Sequence, residues 1–294
     1  MTNPFKEETT CNLIRTISTS ELIADYKKEY QMDVSQYFGN LSTISFFECT
    51  KSKLKFFEPE TTMGDSAFYE KLEVFDWYYM DWKWEQEVTK KLLTTSNAIL
   101  EIGSGKGNFI KKLTEEGYKI KGIELNEKQV ETGKKNGLNV ERKYLHEVNE
   151  TFDVICSFQV FEHIPNLDAI IKDAVKLLNK DGRLIFSVPN MDAFIKYNDA
   201  GTLNFPPHHI NWFYHETYEY IASRYGIKLE KIFYEPLPSY HFNWYKDYLM
   251  TTYFRNRFIK RLFQSNAGQR ILNTYIKLFS KSINGHTVLA VYRK

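Results

Sequence analysis

Ala98-Ile-Leu-Glu-Ile-Gly103-Ser-Gly105-Lys-Gly107-Asn-Phe-Ile110 is the stretch that decides how this 294-residue chain is read. A short apolar run ends in three glycines at alternate positions, and a helical pattern follows. Glycines at 103, 105 and 107 let the backbone turn sharply and let a ligand lie against main chain. The helix N-terminus behind them presents unpaired N–H groups. A dinucleotide loop needs Gly-x-Gly-x-x-Gly, with its third glycine at 108. Asn108 stands there, so the dinucleotide fingerprint fails.

Further strand patterns cover 119–125, 138–141, 152–158, 183–188, 228–234 and 286–292. Helical patterns lie between them at 107–116, 127–135, 166–178 and 215–224. Asn126 and Asn166 are placed as N-caps, and Asn136-Gly137 and Asp181-Gly182 as helix stops or turns. Apolar strands alternating with helices predict an α/β fold, a doubly wound, seven-stranded, mostly parallel sheet. Residues 1–96 read as an irregular aromatic region. It has extended stretches at 43–48 and 53–57 and a helical pattern over 66–93, interrupted near 76–81. The expected domains are therefore 1–96 and 97–294, the second with a helical insertion at 237–285.

Composition narrows the function classes. The chain is 43% hydrophobic, 26% charged and 16% aromatic, with a net charge of +2, which argues against a polyelectrolyte that binds nucleic acid through bulk charge. Three cysteines make no disulfide framework. The first residues lack a basic-then-apolar leader, and no run is long and apolar enough to span a membrane, so a cytoplasmic enzyme is expected. The insertion carries eight Lys and Arg, including Lys246, Arg255 and Arg270, against the single acid Asp247. It reads as a solvated face over an aromatic core, as a lid facing an anionic acceptor, or as a membrane-surface contact.

Glu101-x-Gly103-x-Gly105-x-Gly107 resembles the first motif of class I S-adenosylmethionine-dependent methyltransferases. The resemblance covers about 97–235 and 286–294. It implies that Glu101, Gly103, Ser104, Gly105 and Gly107 carry the amino-acid end of S-adenosylmethionine. It also implies that Glu124, at the end of Gly122-Ile-Glu124-Leu-Asn126, accepts hydrogen bonds from the ribose diol. A carboxylate only accepts and hydroxyls donate, which suits that pairing. The stretch from Phe152 to Ile164 resembles the family's strand beside the transferred methyl, with Gln159 at its end. There Glu162-His163 matches a common pair, His163 being read mainly as structural. Relatives often hold adenine with an acid after the third strand. That acid has no equivalent here, which leaves backbone groups or stacking near Tyr144 and Leu145. An aromatic helix often covers the cofactor, a role open to Tyr78, Tyr79, Trp82 or Trp84.

The N-terminal part resembles a sugar and natural-product subgroup that carries a zinc ribbon with two Cys-x-x-Cys pairs. Here Cys49 is followed by Ser52, and Cys11 by Ile14, so each pair lacks a thiol. Two thiolates without histidines nearby do not make structural zinc, and no metal is expected. Asn204-Phe-Pro-Pro-His208-His209-Ile-Asn211 resembles Pro-x-His-His loops of family members acting on sugars. That implies His209, or His208, as the base for a hydroxyl acceptor. With no further ligands near in sequence, the pair is not read as metal-binding. The expected activity is methylation of a small polar acceptor such as a sugar or a sugar-linked or phosphorylated metabolite, at oxygen first, with nitrogen and carbon left open. The competing readings are a non-catalytic S-adenosylmethionine-binding protein and a nucleic-acid methyltransferase using the basic insertion. The base-methylation signature is missing, which counts against the latter.

Overall fold

The computed structural model describes residues 3–75, 78, 80–197, 201–254 and 257–294, with side chains left out at 196, 197 and 257–259. Tyr79, Arg255 and half of the expected helix break (76, 77 and 79) lie outside the described residues, as does the Arg257 side chain.

The N-terminal part is more regular than its composition suggests. Strand β1 (Cys11–Ser18) leads into α1 (Thr19–Tyr30), and α2 (Ser35–Phe38) precedes β2 (Thr43–Cys49) and β3 (Lys55–Glu58). The Ser18 hydroxyl accepts from Glu21 N and caps α1. These three strands form an antiparallel sheet. Its apolar face holds Phe46 stacked on Phe57 at 4.4 Å, with Trp212 edge-on to Phe46 at 4.8 Å. Helices α3 (Ser66–Leu72) and α4 (Trp84–Lys90) then lead to the larger sheet.

That sheet contains β4 (Ala98–Ile102), β5 (Lys119–Ile123), β6 (Val140–Glu141), β7 (Phe152–Phe158) and β8 (Leu178–Pro189). A two-residue strand, β9 (Asn211–Trp212), pairs instead with β3. Strands β10 (Lys228–Pro236) and β11 (Asn284–Arg293) complete the larger sheet in the order β10-β11-β8-β7-β4-β5-β6. The β4–β8 part is parallel, and β11 runs antiparallel between β8 and β10. This is the seven-stranded, mostly parallel sheet the pattern predicts.

Helices α5 (Asn108–Glu115), α6 (Glu127–Lys135), α7 (Leu167–Leu177) and α8 (His215–Tyr225) flank it. In α5 the buried side chains Phe109, Ile110 and Leu113 recur at helical spacing, and burying each contributes roughly 1.5–3 kcal/mol. Asn126 and Asn166 cap α6 and α7 through their side-chain oxygens, on Gln129 N and Ala169 N.

Two boundaries differ from the sequence reading. Because β9 belongs to the N-terminal sheet, a division at 96/97 does not separate the two sheets. The insertion lies between Pro236 and Asn284 and forms α9 (Phe242–Thr252), α10 (Arg257–Gln264) and α11 (Asn266–Phe279). Cys11 and Cys49 face each other across β1 and β2. Where the zinc-ribbon pattern places a second thiol, the buried Ser52 hydroxyl accepts from Leu54 N and closes the turn. No helix among the described residues is long and apolar enough to cross a membrane.

Candidate functional site

The chain moves from β4 outward to β5 and β6, then returns to the other side of β4 as β7. Ligands in open α/β sheets bind at such a reversal, outside the carboxyl ends of the strands. A cleft of about 2000 Å³ opens there, lined by Gly103, Gly105, Glu124, Gln159, His208 and His209 among others. A single-ligand pocket is roughly 300–1,000 Å³, so this cleft has room for two molecules side by side.

The glycine loop has the conformation its composition requires. Gly103 has φ +71°, and a Cβ there would stand 2.6 Å from Val160 Cγ2. Gly107 has φ +81° and precedes α5. Of the residues assigned to this loop, Gly103 and Gly105 line the cleft, whereas Glu101, Ser104 and Gly107 stand behind its surface. Glu101 is buried with one carboxylate oxygen unpartnered. Burial, and then the charge of Glu124, push its carboxyl well above the ordinary range. A ligand ammonium above the loop would give that acid a partner.

Glu124 organises the neighbouring tip. Its Oε2 accepts from Gly105 N at 2.9 Å, and its Oε1 accepts from Leu125 N at 2.7 Å and Asn126 N at 2.9 Å. Two carboxylate oxygens offer about four acceptor positions, so with three filled one remains for a ribose hydroxyl. Arg142, Lys143, Tyr144 and Leu145 continue the wall beyond it. On the other side Trp82 packs on Phe109 at 5.8 Å and, with Tyr78 and Trp84, faces the cleft. Gln159 follows β7 at φ +55°, a left-handed conformation uncommon for a side-chain-bearing residue. Ammonium, diol, planar base and sulfonium each meet a chemically suitable wall, so these residues fit S-adenosylmethionine.

The histidine loop forms the next part of the wall. His208 and His209 are both buried and stack with ring centroids 4.2 Å apart. His208 is tied at both nitrogens: Nδ1 lies 2.8 Å from the Leu203 carbonyl oxygen, and Nε2 lies 2.8 Å from the Tyr78 hydroxyl. His209 Nδ1 lies 3.0 Å from Asn204 Oδ1. The fold brings His163 and Glu162 to this pair, although His163 precedes His208 by 45 residues. His163 therefore sits in the cleft wall rather than in a purely structural position. Burial pushes its imidazole down to about 4, and holds those of His208 and His209 well below the ordinary value.

The far end of the cleft was not legible in the sequence. Glu85, Glu235, Tyr240, His241, Trp244 and His286 meet there from five separate elements or loops. The insertion contributes Tyr240, His241 and Trp244; none of its described Lys or Arg side chains line the cleft. Glu235 accepts from Thr287 N at 3.2 Å and from the Tyr240 hydroxyl at 3.3 Å. Burial, and then the charge of Glu85, nevertheless raise its carboxyl from 4.5 to about 7. The folded state thus holds a proton that the unfolded chain releases, and this group's contribution to stability falls as pH rises from about 4.5 to 7. Glu235→Gln should raise the melting temperature at pH 8 and leave it nearly unchanged at pH 4, as read by thermal denaturation of the ligand-free protein.

A family model described as "Methyltransferase domain" matches residues 77–232. A ubiquinone biosynthesis O-methyltransferase from Pelagibacter ubique is 30% identical over 100 residues, 31% of this chain and 42% of that protein. Its counterpart from Pseudomonas fluorescens is 22% identical over 113 residues, 35% of this chain and 49% of that protein. The chain spans about half the length of these curated relatives. Among solved structures, a SAM dependent methyltransferase from Archaeoglobus fulgidus shares the fold. Its TM-score is 0.53 at 17% identity, covering 78% of this chain and 100% of that one.

Proposed function

The chain belongs to the methyltransferase-domain family and is an S-adenosylmethionine-dependent methyltransferase; from that premise we propose that it methylates a hydroxyl of a small, hydroxyl-rich acceptor. The observation that carries this reading is the pairing of two different walls in one cleft. One end carries the glycine loop and Glu124; the other carries two buried carboxylates among aromatic rings.

S-adenosylmethionine supplies an electrophilic methyl on a positively charged sulfur. Gly103 and Gly105 let its amino-acid end approach the backbone, with Glu101 behind them and Ser104 and Gly107 shaping the turn. Glu124 takes a ribose hydroxyl, and Tyr144 and Leu145 flank the base. Gln159 stands where the two halves of the cleft meet. The protein's main contribution is alignment, which holds the acceptor oxygen in line behind the methyl.

A hydroxyl must lose its proton as it is methylated. The cluster of His209, His163 and Glu162 receives that proton, and His209 leads it because its ring is held by Asn204 with Nε2 toward Glu162. His208 supports the cluster, since both its nitrogens are already bonded. Glu85 and Glu235 accept hydrogen bonds from the acceptor's remaining hydroxyls, and Trp244 offers a flat apolar face. This supports a sugar-like acceptor that is uncharged where it meets these acids. The curated relatives, named as O-methyltransferases, favour oxygen as the methylated atom.

The test supplies methyl-labelled S-adenosylmethionine with pools of sugars, sugar-linked metabolites, amines and nucleic acid. Label in an alkali-stable O-methyl group of a polyhydroxylated compound is the expected result. Transfer only to amines or nucleic acid, or none at all despite cofactor binding, would overturn the reading.

A further inference from the structure

Two imidazole nitrogens and a buried carboxyl converge in the cleft wall with no hydrogen bond between them. His163 Nδ1 lies 2.6 Å from the His208 carbonyl oxygen, and His209 Nδ1 lies 3.0 Å from Asn204 Oδ1. Those oxygens only accept, so both Nδ1 atoms carry the ring hydrogen and both Nε2 atoms present a bare lone pair. Each of these Nε2 atoms stands 3.9 Å from the same atom, Glu162 Oε1. Glu162 is completely buried, and neither of its oxygens has a hydrogen-bond partner. Burial pushes the Glu162 carboxyl up to about 8, and acceptors facing acceptors in a buried wall are unfavourable unless a proton or a metal ion sits between them.

We propose that His163 Nε2, His209 Nε2 and Glu162 bind a divalent transition metal, with its remaining coordination positions open to the cleft. Two imidazoles and a carboxylate are the ligand types that suit zinc or ferrous iron with open positions. The carbonyl contacts at both Nδ1 atoms fix ring orientation and tautomer, as outer partners of metal-bound histidines do. Ligand atoms about 2.0–2.2 Å from one zinc lie roughly 3.0–3.5 Å apart. The two 3.9 Å separations therefore need to close by about 0.4–0.9 Å. His208 backs the site: its carbonyl oxygen holds His163, and one nitrogen of each of the three histidines lies within 4.8 Å of the others. The consequence for catalysis rests on the O-methylation reading. With the ion in place both Nε2 lone pairs are occupied, so an acceptor hydroxyl on an open position would lose its proton to water in the cleft rather than to His209, and more readily, because a bound cation lowers the pKa of the oxygen it holds. The binding itself does not depend on that reading.

The test uses the full-length protein, free of any histidine tag and stripped with a chelator, then titrated with zinc by calorimetry and with cobalt by visible absorption. The expected result is one equivalent of each ion, with cobalt bands in the visible. Affinity should be at least 100-fold weaker in His163→Ala and His209→Ala, and at least 10-fold weaker in Glu162→Gln. Cys11 and Cys49 are the other place a soft ion could settle, so the double variant Cys11→Ser/Cys49→Ser must bind unchanged. A retained melting shift with S-adenosylmethionine certifies that each variant is folded. Absence of stoichiometric binding overturns the metal site, as does binding that survives both histidine substitutions or disappears with the cysteines. If the stripped enzyme transfers methyl at full rate and binds no metal, the metal site falls and the methyl-transfer reading stands. If metal binds as described but no hydroxyl is methylated, the metal site stands and the O-methylation reading falls.

Discussion

Glu124→Ala should weaken S-adenosylmethionine binding by about 10²- to 10³-fold. The side chain has two tasks, and alanine abolishes both. It is the acceptor for Gly105 N, Leu125 N and Asn126 N, so it ties the glycine loop to the tip of β5. It is also the acceptor proposed for a ribose hydroxyl. Hydrogen bonds to a charged group contribute about 1.5–3 kcal/mol each, so the one lost to the ligand accounts for about 10- to 10²-fold, and the loosened glycine loop for the rest. Calorimetric titration measures the affinity, and the cofactor-induced rise in melting temperature checks it independently. Glu124→Gln should fall between, because its amide oxygen still accepts while its NH₂ opposes backbone N–H groups. An unchanged shift in the alanine variant would remove Glu124 from the ribose.

The second large effect belongs to His209. His209→Ala should lower kcat by about 10²–10⁴-fold, the usual scale for a positioned base, with S-adenosylmethionine affinity unaltered. The ring is buried, and among the cleft's paired histidines it is the one without a Tyr78 contact at Nε2. A loss under tenfold, with cofactor binding intact, would mean that alignment alone carries the reaction. Asn204→Ala should reproduce part of the loss, because it removes the partner of Nδ1 and lets the ring turn.

What the chain disclosed in one dimension is what short-range physics controls. Three glycines at alternate positions after an apolar run, an acid ending the next strand, and asparagines before helices are all local signals. The structure places β4, the tip of β5, and the caps of α6 and α7 accordingly. Strand β1 escaped because five of its eight residues are exposed, leaving no alternation to read. Helix α1 buries only Thr19, Leu22 and Tyr26, a thin stripe for the period to register. Strand β8 starts at Leu178 rather than near 183, running through a kink at Asp181 with φ +62°. The cluster of His163, Glu162 and His209 joins the end of β7 to a distant loop, and no spacing rule announces such a meeting. The insertion's charge drew attention to its lysines and arginines, yet the side chains it turns inward are Tyr240, His241 and Trp244.

The short strand β9 follows directly on the histidine loop, and that loop is sewn to the N-terminal part. Phe57 N donates to the Ile210 carbonyl oxygen, Gly64 N to that of Pro207, and the Tyr26 hydroxyl to that of Phe205. The loop proposed to hold the base is thus fastened by residues that precede the region matched by the family model. Chimeras that exchange only the shared region between relatives should load the methyl donor and yet turn over slowly. Recombination that carries the first seventy-five residues together with the loop should transmit acceptor choice as a single heritable cassette.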